Sequence, residues 1–220
     1  LVIHGINTGL DFIDVYKPFA SSGFRLLCPS RPGYPGTALS TGPSFQEQAD
    51  LIKQFLDALG INQKVFVLTT STGGPVTYYF ASKYPNRCKG IIFQDANLRK
   101  DGIHLYESGE STLPFSFIGS EDLNSWLNVL AAKLRPAAYM TRMLNKNTFF
   151  EKSKSAKIAS NLLNNENQKE KLFNWVNTIT PLSLRIKGTK NDLRNLKGFE
   201  ANNLSKLQMP IMAIHSRVNR

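Results

Sequence analysis

Short apolar runs punctuate residues 1–97, at Leu1–Ile3, Phe24–Cys28, Val65–Leu68 and Ile91–Phe93. Each is apolar on successive positions and flanked by Gly, Pro or Ser. A strand covered on both faces of a parallel sheet has this pattern, whereas a strand with one wet face alternates. Between the runs the apolar spacing becomes helical. Phe45, Ala49, Ile52, Leu56 and Leu59 fall on one face, and Ser44-Phe45-Gln46-Glu47 is a capping box in which hydroxyl and carboxylate satisfy two orphan N–H groups. Gly60 is placed to end that helix in the left-handed conformation. A second helix is predicted from about Asp11 to Ser22, stopping at Gly23, and a third from just after Ser71 to near Pro85-Asn86. Strand and helix alternating over short loops predict a doubly wound α/β domain with a mostly parallel sheet and right-handed crossovers.

The next apolar strand comes only at Pro210–Ile214, more than 110 residues after Ile91–Phe93. A crossover needs about a dozen residues. The surplus predicts an insertion, and its patterns are helical at Leu123–Leu134, Ala137–Leu144 and Glu166–Val176. Asn145-Lys146-Asn147 and Asn164-Asn165 read as breaks between helices. The expected organisation is a core over 1–97, a mainly helical insertion with its return over 98–200, and a last core strand within 201–220. The chain opens on Leu1-Val2-Ile3 and closes just past a strand, so it is expected to be a piece of a longer one.

Composition narrows the function classes. Hydrophobic residues make up 41% and charged residues 20%, which supports a packed core and excludes a disordered chain. No apolar run is long enough to span a membrane. Cys28 and Cys88 are too few for a disulfide framework, so a reducing, cytoplasmic setting is the default. Neither is spaced from His4, His104 or His215 like a zinc ligand. The net charge of +11 is uneven: residues 1–97 hold 8 Lys and Arg against 6 Asp and Glu, and residues 98–220 hold 19 against 10. No nucleic-acid motif accompanies the basic half, so a solvated lysine-rich surface is the expected reading. No dinucleotide fingerprint or nucleotide P-loop is present, and no cofactor is implied. No feature specifies an oligomeric state.

The stretch that carries chemistry is Val67-Leu68-Thr69-Thr70-Ser71-Thr72-Gly73-Gly74-Pro75. A buried strand runs straight into a serine, and small residues lead into a helix. A nucleophile elbow needs this: the hydroxyl is presented on a sharp turn at the strand's carboxyl end, above a helix N-terminus that favours negative charge. Gly73 is small, as the crowded turn demands. Thr69 stands where such an elbow expects glycine. His4-Gly5 follows the first strand, and its loop is expected to face the serine, with the N–H groups of Ile6 and Thr72 as oxyanion donors.

These residues, in this order, resemble the α/β-hydrolase fold family over nearly the whole chain. His4-Gly5 is similar to its oxyanion-loop motif, and Arg25–Tyr34 to its next strand and loop, usually written arginine-x-glycine-tyrosine. Gln48–Ile61 resembles the helix before the elbow, and Tyr84–Gly90 the exit towards the following strand. Arg185-x-x-Gly188-x-x-Asn191-Asp192, followed by Leu207–Pro210, resembles one branch of uncharacterised hydrolases. The resemblance implies a serine hydrolase of the esterase, lipase or peptidase kind acting on a small-molecule carbonyl substrate. It makes Ser71 the nucleophile and the insertion a cap that shapes the substrate pocket. The aromatic clusters Phe115–Ile118, Trp126, Tyr139-Met140 and Phe149-Phe150 are candidates to line that pocket, though filling the cap's own core is the simpler role.

The family's triad continues from serine to an acid and then a histidine. Asn219 stands at the acid's place after the last strand, and Asp95, after Ile91–Phe93, is the alternative acid, with capping of a turn as its simpler role. His4 belongs to the oxyanion loop, His104 opens the cap, and His215 is expected to pack at its strand end. None stands at the family's base position, so this chain is expected to have negligible hydrolase activity. A hydrolase-fold protein kept for binding or assembly is the alternative, and a non-hydrolytic enzyme on the same fold a third reading.

Overall fold

The computed structural model describes residues 1–99, 120–201 and 203–215. Four strands form one parallel sheet in the order β1-β2-β3-β4. They are β1 (Val2–Ile3), β2 (Val65–Ser71), β3 (Cys88–Ala96) and β4 (Ile211–Ile214). Because all run the same way, their carboxyl ends share one edge of the sheet: His4, Ser71, Ala96 and His215 follow or end them there. Ligand crevices of α/β sheets form at such an edge.

The helices predicted to open at Ser44 and after Ser71 form, whereas only the last part of the one predicted over Asp11–Ser22 is α-helical. After a short 3₁₀ turn (Leu10–Tyr16), α1 (Lys17–Ser21) ends before Gly23, whose φ is +85°. Helix α2 (Phe45–Ala58) carries the capping box, with Ser44 Oγ accepting from Glu47 N–H and the Glu47 carboxylate accepting from Ser44 N–H. Helix α3 (Gly73–Lys83) starts directly behind Ser71. The core packs Ile3, Phe45, Ile52, Leu56, Val67, Val76, Phe80, Ile91 and Phe93 between sheet and helices.

The described residues divide into two compact units. One joins 1–99 to 184–201 and 203–215; the other comprises 120–183. The second holds α4 (Glu121–Leu134), α5 (Pro136–Asn147), α6 (Lys152–Leu163) and α7 (Glu166–Thr178). Ala132, Tyr139, Leu163, Leu172 and Val176 form its own core, with Met140 against it. Helix α8 (Ile186–Leu196) belongs with the sheet unit.

Several expectations change. Phe24–Cys28 is not a regular strand, although Val2 N–H donates to Leu27 C=O at 2.7 Å. The neighbouring β1 is too short to support a repeating ladder, and Phe24 is 51% exposed. Among the described residues β4 lies at the sheet edge, and Ile211, Met212 and Ile214 are exposed. Asn145–Asn147 continues α5 instead of breaking it, because helical bonds persist until Thr148 N–H meets Leu144 C=O. Asn165 does interrupt the chain, as the cap of α7. Residues 184–200, within the stretch read as the insertion and its return, pack on the core through polar contacts described below.

Candidate active site

The elbow is built from backbone strain and close packing. Ser71 has φ +46°, in the left-handed region that a residue with a Cβ enters at a cost of about 1–3 kcal/mol. A register shift between Thr70 and Ser71 makes the turn, and Asn97 N–H donates to Ser71 C=O at 2.9 Å. A Cβ on Gly73 would lie 2.5 Å from Ile3 C=O and 2.6 Å from Thr69 Oγ1. The fully buried Thr69 therefore fits because Gly73 leaves room, and its hydroxyl donates to Ile3 C=O at 3.2 Å. The threonine is accommodated rather than disruptive.

The loop after β1 lies against the serine: a Cβ on Gly5 would meet Ser71 Cβ at 2.9 Å and Ser71 Oγ at 3.5 Å. Asn7 turns that loop with φ +57°. Ile6 is half-buried and Thr72 fully buried. His4 is fully buried behind the loop, where Arg31 N–H donates to Nε2 at 3.1 Å and Nδ1 is 2.9 Å from Gly5 C=O. An acceptor at Nε2 leaves the proton on Nδ1, which donates to Gly5. Burial, reinforced by the nearby Arg31 charge, lowers the His4 pKa to about 3. With both nitrogens committed, His4 frames the loop and is not a base.

Asp95 also has a left-handed φ, +45°, at the end of β3. Its Oδ1 is 3.6 Å from His215 Nδ1. The His215 side chain is 66% exposed, so it does not pack into the strand end as expected. Among the described residues no side chain hydrogen-bonds Ser71 Oγ. Asn219, His104 and Phe115–Ile118 lie outside the described residues. Of the other aromatic candidates, Tyr139 and Met140 are in the helical unit's core, whereas Trp126 and Phe149 are exposed.

A buried polar network beside the elbow was not read from the sequence. Asp192, on α8, is fully buried. Its Oδ1 accepts from Arg31 Nη2 at 2.7 Å, and its Oδ2 accepts from Tyr34 Oη at 2.7 Å and Thr72 Oγ1 at 2.9 Å. Arg31 also donates to His4 C=O at 3.0 Å and Gln48 Oε1 at 2.9 Å. Burial, then the adjacent Asp192 charge, pushes the Tyr34 phenol well up, so it remains a donor. The only signal available was the resemblance of the segments holding Arg31–Tyr34 and Arg185–Asp192; nothing in their spacing paired them. A cavity of about 610 Å³ lies between the 28–37 loop and α2, but Ser71, Ile6 and Thr72 are not in its lining.

A sharp serine turn with a glycine-backed loop pressed on it, at the carboxyl edge of a parallel sheet, has a counterpart among known proteins. The family model for the α/β-hydrolase fold matches residues 1–172. The chain belongs to the α/β-hydrolase fold family. Among curated relatives, Uncharacterized hydrolase YcgS of Bacillus subtilis is 34% identical over 96 residues, covering 44% of this chain and 34% of that protein. Monoacylglycerol lipase ABHD6 of Homo sapiens is 36% identical over 90 residues, covering 39% and 26%. This α/β-hydrolase chain thus spans about a third, or less, of the length of these relatives. An alpha/beta hydrolase fold protein from Nakamurella multipartita superposes with a TM-score of 0.77 at 21% identity, covering 96% of this chain and 72% of that chain. A thermophilic esterase from Thermogutta terrifontis gives 0.60 at 17% identity, covering 97% and 69%. The structural likenesses concern the fold. No helix among the described residues is long and apolar enough to cross a membrane.

Proposed function

We propose that the whole protein is a serine hydrolase that cleaves an ester or amide carbonyl of a small molecule. The observation that carries this reading is the left-handed Ser71, φ +46°, at the junction of β2 and α3 with Gly5 against it. Ser71 Oγ gives its proton to a base and attacks the carbonyl carbon; the C–O or C–N bond then breaks, the alcohol or amine leaves with that proton, and water hydrolyses the acyl-enzyme to release the carboxylic acid and restore the serine. The N–H groups of Ile6 and Thr72 receive the developing oxyanion; in a serine protease, removing one such donor costs about 2.7–4 kcal/mol. Asp95 is the acid of this reading, because it stands at the same sheet edge and faces an imidazole; Asn219 is the alternative. The relatives named hydrolase and monoacylglycerol lipase support carbonyl hydrolysis as the reaction class.

Proton removal from Ser71 needs a base, and none of the described histidines hydrogen-bonds it. The test therefore uses the natural full-length protein. A fluorophosphonate probe should label one serine peptide, that of Ser71, and Ser71→Ala should abolish labelling and p-nitrophenyl ester turnover together. An unlabelled full-length protein would sink the catalytic reading. That no side chain among the described residues hydrogen-bonds Ser71 Oγ favours a second reading, a hydrolase-fold protein retained for binding or assembly, in which Ser71→Ala leaves partner binding unchanged.

A further inference from the structure

The Arg185-x-x-Gly188-x-x-Asn191-Asp192 stretch is the sequence feature that the proposed chemistry leaves unused. Each of its named residues holds α8 onto the site. Arg185 Nη2 donates to Asp11 Oδ2 at 2.5 Å, and Asn191 Nδ2 donates to Pro43 C=O at 2.6 Å. Gly188 N–H donates to Gly33 C=O at 2.9 Å, an approach so close that a Cβ on Gly188 would lie 2.5 Å from the Tyr34 ring. From this seat the helix reaches both sides of the elbow. Thr189 Oγ1 accepts from Asn7 N–H at 3.1 Å and donates to Asn7 Oδ1 at 2.9 Å, one residue past Ile6. Asp192 Oδ2 accepts from Thr72 Oγ1, the residue after Ser71. The same carboxylate holds Arg31, whose guanidinium donates to His4 C=O at the start of the loop.

We propose that α8 is a clamp: Asp192 and Thr189 are positioning residues that set the spacing between the Ile6 and Thr72 N–H groups. The inference rests on the assignment of those two groups as oxyanion donors. Its physical basis is the geometry of transition-state stabilisation. Donors must meet the oxyanion at hydrogen-bond distance without rearranging, and removing one costs about 10²–10³-fold in turnover. Thr72 N–H and Ile6 N–H belong to two chain segments that end different strands. The Asp192 carboxylate joins them through Thr72 and Arg31, and Thr189 adds a second tether at Asn7. A fully buried carboxylate with three donors is rigid in a way a surface contact is not.

Thr72→Val tests the clamp, because it keeps shape and backbone N–H while cutting the links of the hydroxyl to Asp192 and to Arg31. Thr72→Ser keeps the hydroxyl. In the full-length protein, amide hydrogen exchange at residues 5–8 and 72–74 should rise about tenfold or more in Thr72→Val, with the amides of α2 and β3 unchanged. Thr72→Ser should restore the wild-type pattern. The rate of Ser71 phosphonylation should fall roughly tenfold or more in Thr72→Val and recover in Thr72→Ser. Thr189→Val, which severs the Asn7 tether, should loosen residues 5–8 in the same way. A uniform rise in exchange across the sheet unit, or no local rise with an unchanged phosphonylation rate, overturns the clamp. Local loosening in a protein whose wild type takes no label overturns the Ser71 assignment instead, and with it the clamp's catalytic role. Should Thr72→Val fail to fold, Tyr34→Phe removes another donor to the same oxygen and is read by the same two measurements.

Discussion

His4 makes the folding stability of this protein fall as the solution turns mildly acidic. In the native state its Nε2 accepts from Arg31 N–H and its Nδ1 lies at Gly5 C=O. A proton added to Nε2 would point one N–H at another, inside the core and near the Arg31 guanidinium. The folded protein therefore refuses that proton until about pH 3, whereas the unfolded chain takes it near pH 6.5. Between those values the unfolded state binds more protons, so stability falls as pH falls. The contribution present above pH 6.5 is lost progressively below it, at up to about 1.4 kcal/mol per pH unit. From about pH 6.5 to pH 5 the loss integrates to about 1.6 kcal/mol. Most carboxylates titrate below that window. His4→Gln keeps an acceptor for Arg31 N–H but has no proton to gain, and every other group is common to both proteins. Urea unfolding followed by far-UV circular dichroism at the two pH values measures the difference; Trp126 and Trp175 both lie in the helical unit and would not report on the sheet unit. Wild type should lose about 1.6 kcal/mol more than His4→Gln. If the two proteins lose the same amount within about 0.5 kcal/mol, the argument that His4 is held neutral is wrong.

The strain at Ser71 predicts that Ser71→Gly, while losing all probe labelling, raises unfolding free energy by about 1 kcal/mol, because glycine enters φ +46° without penalty. Gly188→Ala should destabilise by about 1–3 kcal/mol in the same urea assay, since its Cβ would enter the Tyr34 ring and no flexible side-chain end is there to give way. Removing one member of the buried Arg31–Asp192 pair should cost about 3–5 kcal/mol. The double replacement Arg31→Met with Asp192→Leu should cost clearly less than the sum of the singles; additive losses in that cycle would show that the two charges do not depend on each other.

What the sequence determined by itself was carried by short-range pattern. The capping box at Ser44–Glu47, the left-handed stops at Gly23 and Gly60, and the passage from Val65–Leu68 into Ser71 follow from neighbouring residues, and the structure has them. The fold class followed because apolar runs alternating with helical faces can be buried in few ways. Contacts between distant segments needed the tertiary structure. Thr69 read as a defect in the elbow; only the packed strands show Gly73 leaving space for it and Ile3 accepting its hydroxyl. Phe24–Cys28 read as a covered strand, but Phe24 is 51% exposed, and cover depends on which strand stands next in the sheet, which an apolar run does not encode. The pairing of Arg31 with Asp192 spans 161 residues of chain, and nothing in the local pattern of either residue names the other. The elbow is local because one turn makes it. The polar clamp beside it is not, because a buried charge is satisfied by whichever partner the completed fold brings within reach.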